Sequence, residues 1–251
     1  METTNTAKVE KSTATGQPVR SAARWTGLMR IVVTVMLPVL LTLISVRLVM
    51  TEPFLRFEYN RSAFPEDRYG FTRAERLFYA PYALEYLFND ADITYLSALT
   101  FDDGTPLFNE RELQHMADVK IVTRAAFNLM FIGLLLLAAL VTLLWRFRPY
   151  RMAIRRAVIA GSTLTLMIIF TIVLTAISTW DTFFTTFHNL FFESGTWRFA
   201  YSDTLIRLFP EQFWFDASLV VGGATVLFAL ALLAGAWFAE RKERQSVEAG
   251  A

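Results

Sequence analysis

The chain is 251 residues long, 54% hydrophobic, 15% aromatic and 19% charged, with a positive mean hydropathy; that composition lies outside the range of ordinary soluble domains and belongs in lipid. Twenty-four Lys and Arg against 23 Asp and Glu leave a net charge of +1, so global charge gives no ground for nucleic acid or for an acidic partner. The absence of cysteine excludes disulfides, thiolate metal sites and a thioester-forming nucleophile.

Residues 1–27 are polar, rich in Ser, Thr and Ala, and lack apolar periodicity, which predicts a disordered tail. An apolar segment follows over 28–50. It outruns the ~7–15-residue core of a signal peptide and no small-residue cleavage site follows it, so it is expected to stay as an anchor. Pro38 in its middle predicts a kink, with a neighbouring helix covering the freed carbonyl. Three further stretches, 124–146, 157–178 and 217–239, reach the ~20 residues that cross a hydrocarbon core. The fold class expected is therefore all-α integral membrane, with four transmembrane helices. Arg148, Arg151, Arg155 and Arg156 crowd the loop expected at 147–156, with Arg146 at its edge, and Arg241, Lys242 and Arg244 lie in the tail 240–251. Together with the basic tail before the first span, they place both termini in the cytoplasm of a multi-pass cell-membrane protein.

Two segments then face outward. The first, 51–123, is long enough for a small cap. Thr72 with Glu75, and Asn109 with Glu112, have the spacing of capping boxes and predict two short helices. Between them, Asp102-Asp103-Gly104-Thr105-Pro106 is turn chemistry. Arg47, near the outer end of the first span, reads as a side chain snorkelling to the interface. The second segment, 179–216, is crowded with aromatics, among them Trp180, Phe183, Phe184, Phe187, Phe191, Phe192 and Trp197. An aromatic belt explains most of them; the functional alternative is an apolar floor for acyl chains.

The two histidines of the chain, His115 and His188, both fall a few residues outside a membrane end. Asp118 lies three residues beyond His115, on the same helical face, where a carboxylate can hold and orient an imidazole. His188 sits among aromatics, where low polarity depresses the imidazole pKa and favours the neutral base. Each is also readable as an amphipathic interfacial residue. Zinc held by two histidines and a carboxylate is a weaker reading, since no H-E-x-x-H or close ligand pair is present. There is no nucleotide-binding glycine pattern, no G-x-S-x-G elbow and no intramembrane carboxylate chain of an ion-coupled transporter. An enzyme working at the outer surface, with neither metal nor cofactor nor energy source, is the better-supported class. The alternative is a non-catalytic envelope protein whose cap binds lipid or a protein partner.

Leu107-Phe-Asn-Glu-Arg-Glu-Leu-Gln-His-Met-Ala-Asp-Val-Lys120 and Phe187-His-Asn-Leu-Phe-Phe192, with Trp197 beyond, resemble the integral membrane family that includes the lipoprotein intramolecular transacylase Lit. Arg68-Tyr-Gly-Phe-Thr-Arg-Ala-Glu-Arg76 and Asp203-Thr-Leu-Ile-Arg-Leu-Phe-Pro-Glu211 share the resemblance, which covers most of the chain outside its N-terminal tail. It implies transfer of the sn-2 acyl group of a diacylated lipoprotein to the α-amino group of its own N-terminal cysteine, giving a lyso-form lipoprotein. It also implies His115 and His188 as the catalytic pair, with Asp118, Trp197, Asp203 and Arg207 supporting them or binding substrate. An ester becoming an amide runs downhill, in keeping with the missing nucleotide and ion motifs. The expected roles are His188 as general base towards the amine, and His115, steadied by Asp118, as donor to the developing oxyanion or departing oxygen. The exchange of these roles and a histidine nucleophile remain open. Expected partners are the lipoprotein substrate and membrane lipid, with no nucleic acid; oligomeric state is not readable.

Overall fold

The computed structural model describes residues 17–248, all of whose regular structure is helical apart from one isolated bridge between Thr100 and Pro106. The helices are α1 (Gln17–Val49), α2 (Glu52–Tyr59), α3 (Arg73–Phe88), α4 (Thr94–Ser97), α5 (Glu110–Leu144), α6 (Arg148–Ser178), α7 (Trp180–Phe191), α8 (Thr204–Leu208) and α9 (Glu211–Glu248). Of the tail expected to be disordered, residues 1–16 lie outside the described residues, and from Gln17 onwards the chain is helix. Four helices are long and apolar enough to cross a membrane, α1, α5, α6 and α9, and the protein is a multi-pass membrane protein. The helix α1 continues through Pro38.

In the bundle, α6 packs along α1 and α9, while α5 leans chiefly on α1 and α3. Lipid supplies no hydrophobic drive between helices, so close backbone approach must hold them together. Gly161 provides it for α6 and α1: a Cβ there would meet Leu37 Cδ1 at 2.7 Å and the Thr34 carbonyl oxygen at 3.1 Å. Farther along α1, the Thr225 hydroxyl of α9 donates to Ser45 Oγ at 2.9 Å, and Ser45 in turn donates to the Leu41 carbonyl. Both side chains are buried, and each hydroxyl finds inside the bundle the partner that lipid cannot supply.

The expected basic loop at 147–156 is not a loop. The connection between α5 and α6 is only residues 145–147, and the arginines from Arg151 onwards belong to the first turns of α6. Arg155 pairs with Glu243 near the end of α9, so the basic residues collect at one end of the bundle.

At the other end the cap has its own apolar core, built from Phe54 and Leu55 of α2, Tyr79 and Ala83 of α3, Leu96 of α4, Leu107, Met116 of α5, and Leu205 and Leu208 of α8. Both capping boxes form: Thr72 caps α3 with Glu75, and Asn109 caps α5 with Glu112. The second box opens a helix of 35 residues, not a short one. At ~1.5 Å per residue α5 is a rod of about 52 Å, well beyond a ~30 Å hydrocarbon core. Its apolar part begins at Ala125 and runs to the end of the helix, and the turns before it, which carry Met116, join the cap. The turn at Asp102–Pro106 forms as expected, with Gly104 at φ 83° and Asp103 Oδ1 accepting from Thr105 N at 2.9 Å. Arg61 ties the cap to α9 by bridging Glu58 at 2.8 Å and Asp216 at 2.7 Å.

Candidate active site

His115 lies on the second turn of α5, just beyond the capping box, and His188 lies on α7. The latter helix is separated from α6 by a break at Thr179, whose backbone leaves the helical region. Trp180, Phe183, Phe184, Phe187, His188 and Phe191 recur on α7 at helical spacing, giving it one aromatic face. That face turns His188 towards α5. The two imidazoles come to 6.5 Å between ring centroids, with their planes 26° apart.

The surroundings are aromatic on both sides. Phe184 lies 4.0 Å and Trp197 4.6 Å from the His188 ring, and Phe192 and Phe199 lie 5.1 Å and 5.3 Å from the His115 ring. Trp197 is buried, and its indole N–H donates to Asn189 Oδ1 at 3.2 Å, which fixes the ring that lies against His188. Burial pushes the His115 pKa down to about 4, with the neighbouring His188 adding to the effect. Burial also lowers that of His188, opposed by its bond to the Phe184 carbonyl. Both shifts favour the neutral ring.

That bond, 2.8 Å from His188 Nδ1 to Phe184 O, requires the proton on Nδ1, since a carbonyl oxygen only accepts. Nε2 then carries the lone pair and is the basic nitrogen. On His115 the Nδ1 atom is buried without a hydrogen-bond partner. The expected bond from Asp118 is not made. Asp118 instead accepts from Gln114 Nε2 at 3.2 Å, the i,i+4 partner available on an exposed helix face, while the imidazole turns inwards to Phe192 and Phe199. The influence of Asp118 on His115 is electrostatic only, and smaller than that of burial.

Of the other expected residues, Trp197 is part of the cluster, whereas Asp203 and Arg207 sit in the scaffold behind it. Asp203 Oδ2 accepts from Ala200 N at 2.8 Å and stands at the start of α8. Arg207 donates from Nε to Asp67 at 3.0 Å and from Nη2 to the Tyr69 carbonyl at 3.1 Å, with its guanidinium 3.9 Å above the Phe71 ring. Sequence reading singled out Glu112 only as a cap. It is buried, and besides closing its own capping box it accepts from Leu205 N at 2.6 Å, linking the first turn of α5 to the first turn of α8. Arg76, also buried, was not anticipated; it donates to the carbonyls of Arg207 at 2.9 Å and Pro65 at 2.6 Å. Among the described residues no group of three His, Asp or Glu side chains is arranged to hold a metal ion.

The family described as lipoprotein intramolecular transacylase Lit matches residues 31–214. A protein of Aquifex aeolicus (strain VF5) without an assigned function is 30% identical over 213 residues, covering 82% of this chain and 92% of that one. The in meso structure of the membrane integral lipoprotein intramolecular transacylase Lit from Bacillus cereus superposes with a TM-score of 0.74 at 19% identity, over 89% of this chain and 99% of that one. A variant of the same protein with one histidine replaced gives 0.72 at 19% identity, over 91% and 97%. At that identity the likeness establishes a shared fold.

Proposed function

The chain belongs to the Lit family of lipoprotein intramolecular transacylases, and from that premise we propose that it moves the sn-2 acyl chain of a diacylglyceryl lipoprotein to the α-amino group of its N-terminal cysteine. The observation that carries this reading is the pairing of His115 and His188, brought from separate helices to 6.5 Å in an aromatic setting. The α-amino group, with a pKa near 8, has a neutral fraction at pH 7. Its nitrogen attacks the ester carbonyl while His188 Nε2 takes the proton released. The C–N bond forms, and the carbonyl oxygen becomes an oxyanion that a neutral His115 N–H can meet. A weakly basic imidazole suits donation in its neutral state. Collapse breaks the bond to the glyceryl oxygen, and the proton held by His188 goes to that oxygen. The products are an amide and an alcohol, with no proton gained or lost overall.

Amine and ester belong to one molecule, so much of the proximity advantage is already present and the protein need only fold the headgroup. A lipoprotein is held in the membrane by its acyl chains, and a histidine pair just outside the apolar part of α5 suits an ester held at the interface. The basic residues gathered at the far end of the bundle support an orientation with both termini inside and the histidine pair at the outer leaflet. The deciding experiment is mass spectrometry of a synthetic diacylated lipopeptide incubated with the purified protein. Appearance of the N-acylated lyso-lipopeptide, with mass unchanged and a free amine lost, supports transacylation. Recovery of the peptide unmodified would leave the cap a binding module.

A further inference from the structure

Where α1 meets the cap, the end of α1 and the end of α3 flank an open groove that neither histidine lines. Its volume is about 520 Å³, and Arg47, Met50, Glu52, Leu84, Glu85 and Phe88 line it. That volume falls within the ~300–1,000 Å³ of small-molecule sites. Its height is fixed from two sides. Exposed Leu48 lies near the end of the apolar run of α1, and Phe88 stacks at 5.7 Å on Phe127, at the start of the apolar run of α5. The groove therefore lies at the headgroup layer.

Its charges form a pattern. The Arg47 guanidinium lies 4.7 Å over the Phe88 ring and uses Nη1 on the Met50 carbonyl at 3.0 Å, which leaves Nε and Nη2 for a ligand. The other cations nearby are engaged: Lys120 Nζ donates to the Ala91 carbonyl at 2.6 Å, Arg124 pairs with Asp90 at 2.6 Å, and Arg56 pairs with Glu52. Both bonds from Arg56 go to Glu52 Oε1, and the Tyr95 hydroxyl takes Glu85 Oε2. One oxygen of each carboxylate is thus left for a ligand. A guanidinium fork suits a phosphate, whereas two carboxylates beside it disfavour a ligand that is only anionic and suit an ammonium group.

We propose that this groove binds the headgroup of a zwitterionic aminophospholipid, with its phosphate on Arg47, its ammonium on Glu52 and Glu85, and its glycerol end against Met50, Leu84 and Phe88. The inference is independent of the transacylation reading, because it concerns bound lipid and not turnover.

The test is native mass spectrometry of the full chain released from nanodiscs that contain phosphatidylethanolamine, phosphatidylcholine and phosphatidylglycerol in equal amounts. The expected result is preferential retention of phosphatidylethanolamine, because the choline headgroup has no N–H to donate and the glycerol headgroup has no positive charge. R47A should retain it about tenfold more weakly, the scale of one charge-assisted contact. The E52Q/E85Q pair should keep a lipid while losing the preference for the amine, and it carries the test should R47A fail to insert. Equal retention of the three lipids by the unmodified protein, or an intact preference in E52Q/E85Q, overturns the site. Displacement of the retained lipid by a diacylated lipopeptide would make the groove part of the substrate path and overturn the phospholipid assignment.

Discussion

His188 donates its Nδ1 proton to the carbonyl of Phe184, four residues back on α7, at 2.8 Å. The helix itself thereby selects the tautomer that leaves Nε2 free to accept a proton, without recruiting a carboxylate.

Replacing His188 by Ala should lower the rate of lipopeptide conversion by roughly 10²–10⁴-fold, the range of general acid–base catalysis. His115→Ala should cost less than this if its part is only to donate to the oxyanion. Because the two act on one substrate, the double variant should lose less than the product of the single effects. Conversion rates of the three variants in one detergent check this; independent, multiplying losses would separate the two residues.

The pH dependence follows from the depressed imidazoles. A histidine whose pKa is lowered by folding favours the native state most where it is neutral. That contribution is complete above the unfolded value near 6.5 and is lost as pH falls towards the folded value, about 4 for His115. The melting temperature should be flat between pH 7 and 8 and decline below about pH 6.5. His115→Ala should flatten the decline. The rate, in contrast, should rise with slope one up to pH ~8, following the substrate amine alone. A slope of two near pH 6.5 would reveal a histidine titrating at its ordinary value.

Glu112→Ala should orphan Leu205 N and open the capping box, at a cost of about 1–3 kcal/mol per unsatisfied buried group. Glu112→Gln, which keeps an acceptor oxygen, should cost less. Thermal unfolding followed by helical content distinguishes them. Conversion should fall in step with the loss of α8 from the end of α5.

Within the bundle, Gly161→Val should force α6 off α1, because even its Cβ would stand 3.1 Å from the Thr34 carbonyl oxygen, which is backbone and cannot yield. The overpacking cost is about 1–3 kcal/mol. Lower recovery of folded protein from membranes is the expected readout, with Gly161→Ala milder than Gly161→Val.

Orientation is checked by reporter fusions. A reporter active only in the cytoplasm should work after Gln245 and fail within 101–107, as the distribution of basic residues requires. Activity at 101–107 would place the histidines inside.

What the sequence made legible was local. The capping boxes at Thr72 and Asn109 need only residues three apart, and the four spans need only sustained apolarity, so both were readable without a structure. Contacts between distant segments were not. Nothing near Glu112 announces that its second oxygen serves Leu205, and nothing in the i,i+3 spacing of His115 and Asp118 reveals that Gln114 takes the carboxylate. The helix α7 could have been found from the recurrence of Trp180, Phe183, Phe184 and Phe187, a pattern masked by reading the segment as a belt. The nearness of the two histidines depends on the break at Thr179, which turns α7 away from the direction of α6 and which no Gly or Pro marks.

The unbroken length of α5 makes it a lever. No break interrupts it between the cap and its far end, and Glu112 and Met116 fasten its first turns to the cap. A tilt of its membrane-crossing part has to be taken up by the cap as one piece, α8 included, so lipid tail length is an experimental handle on how firmly the cap holds His115.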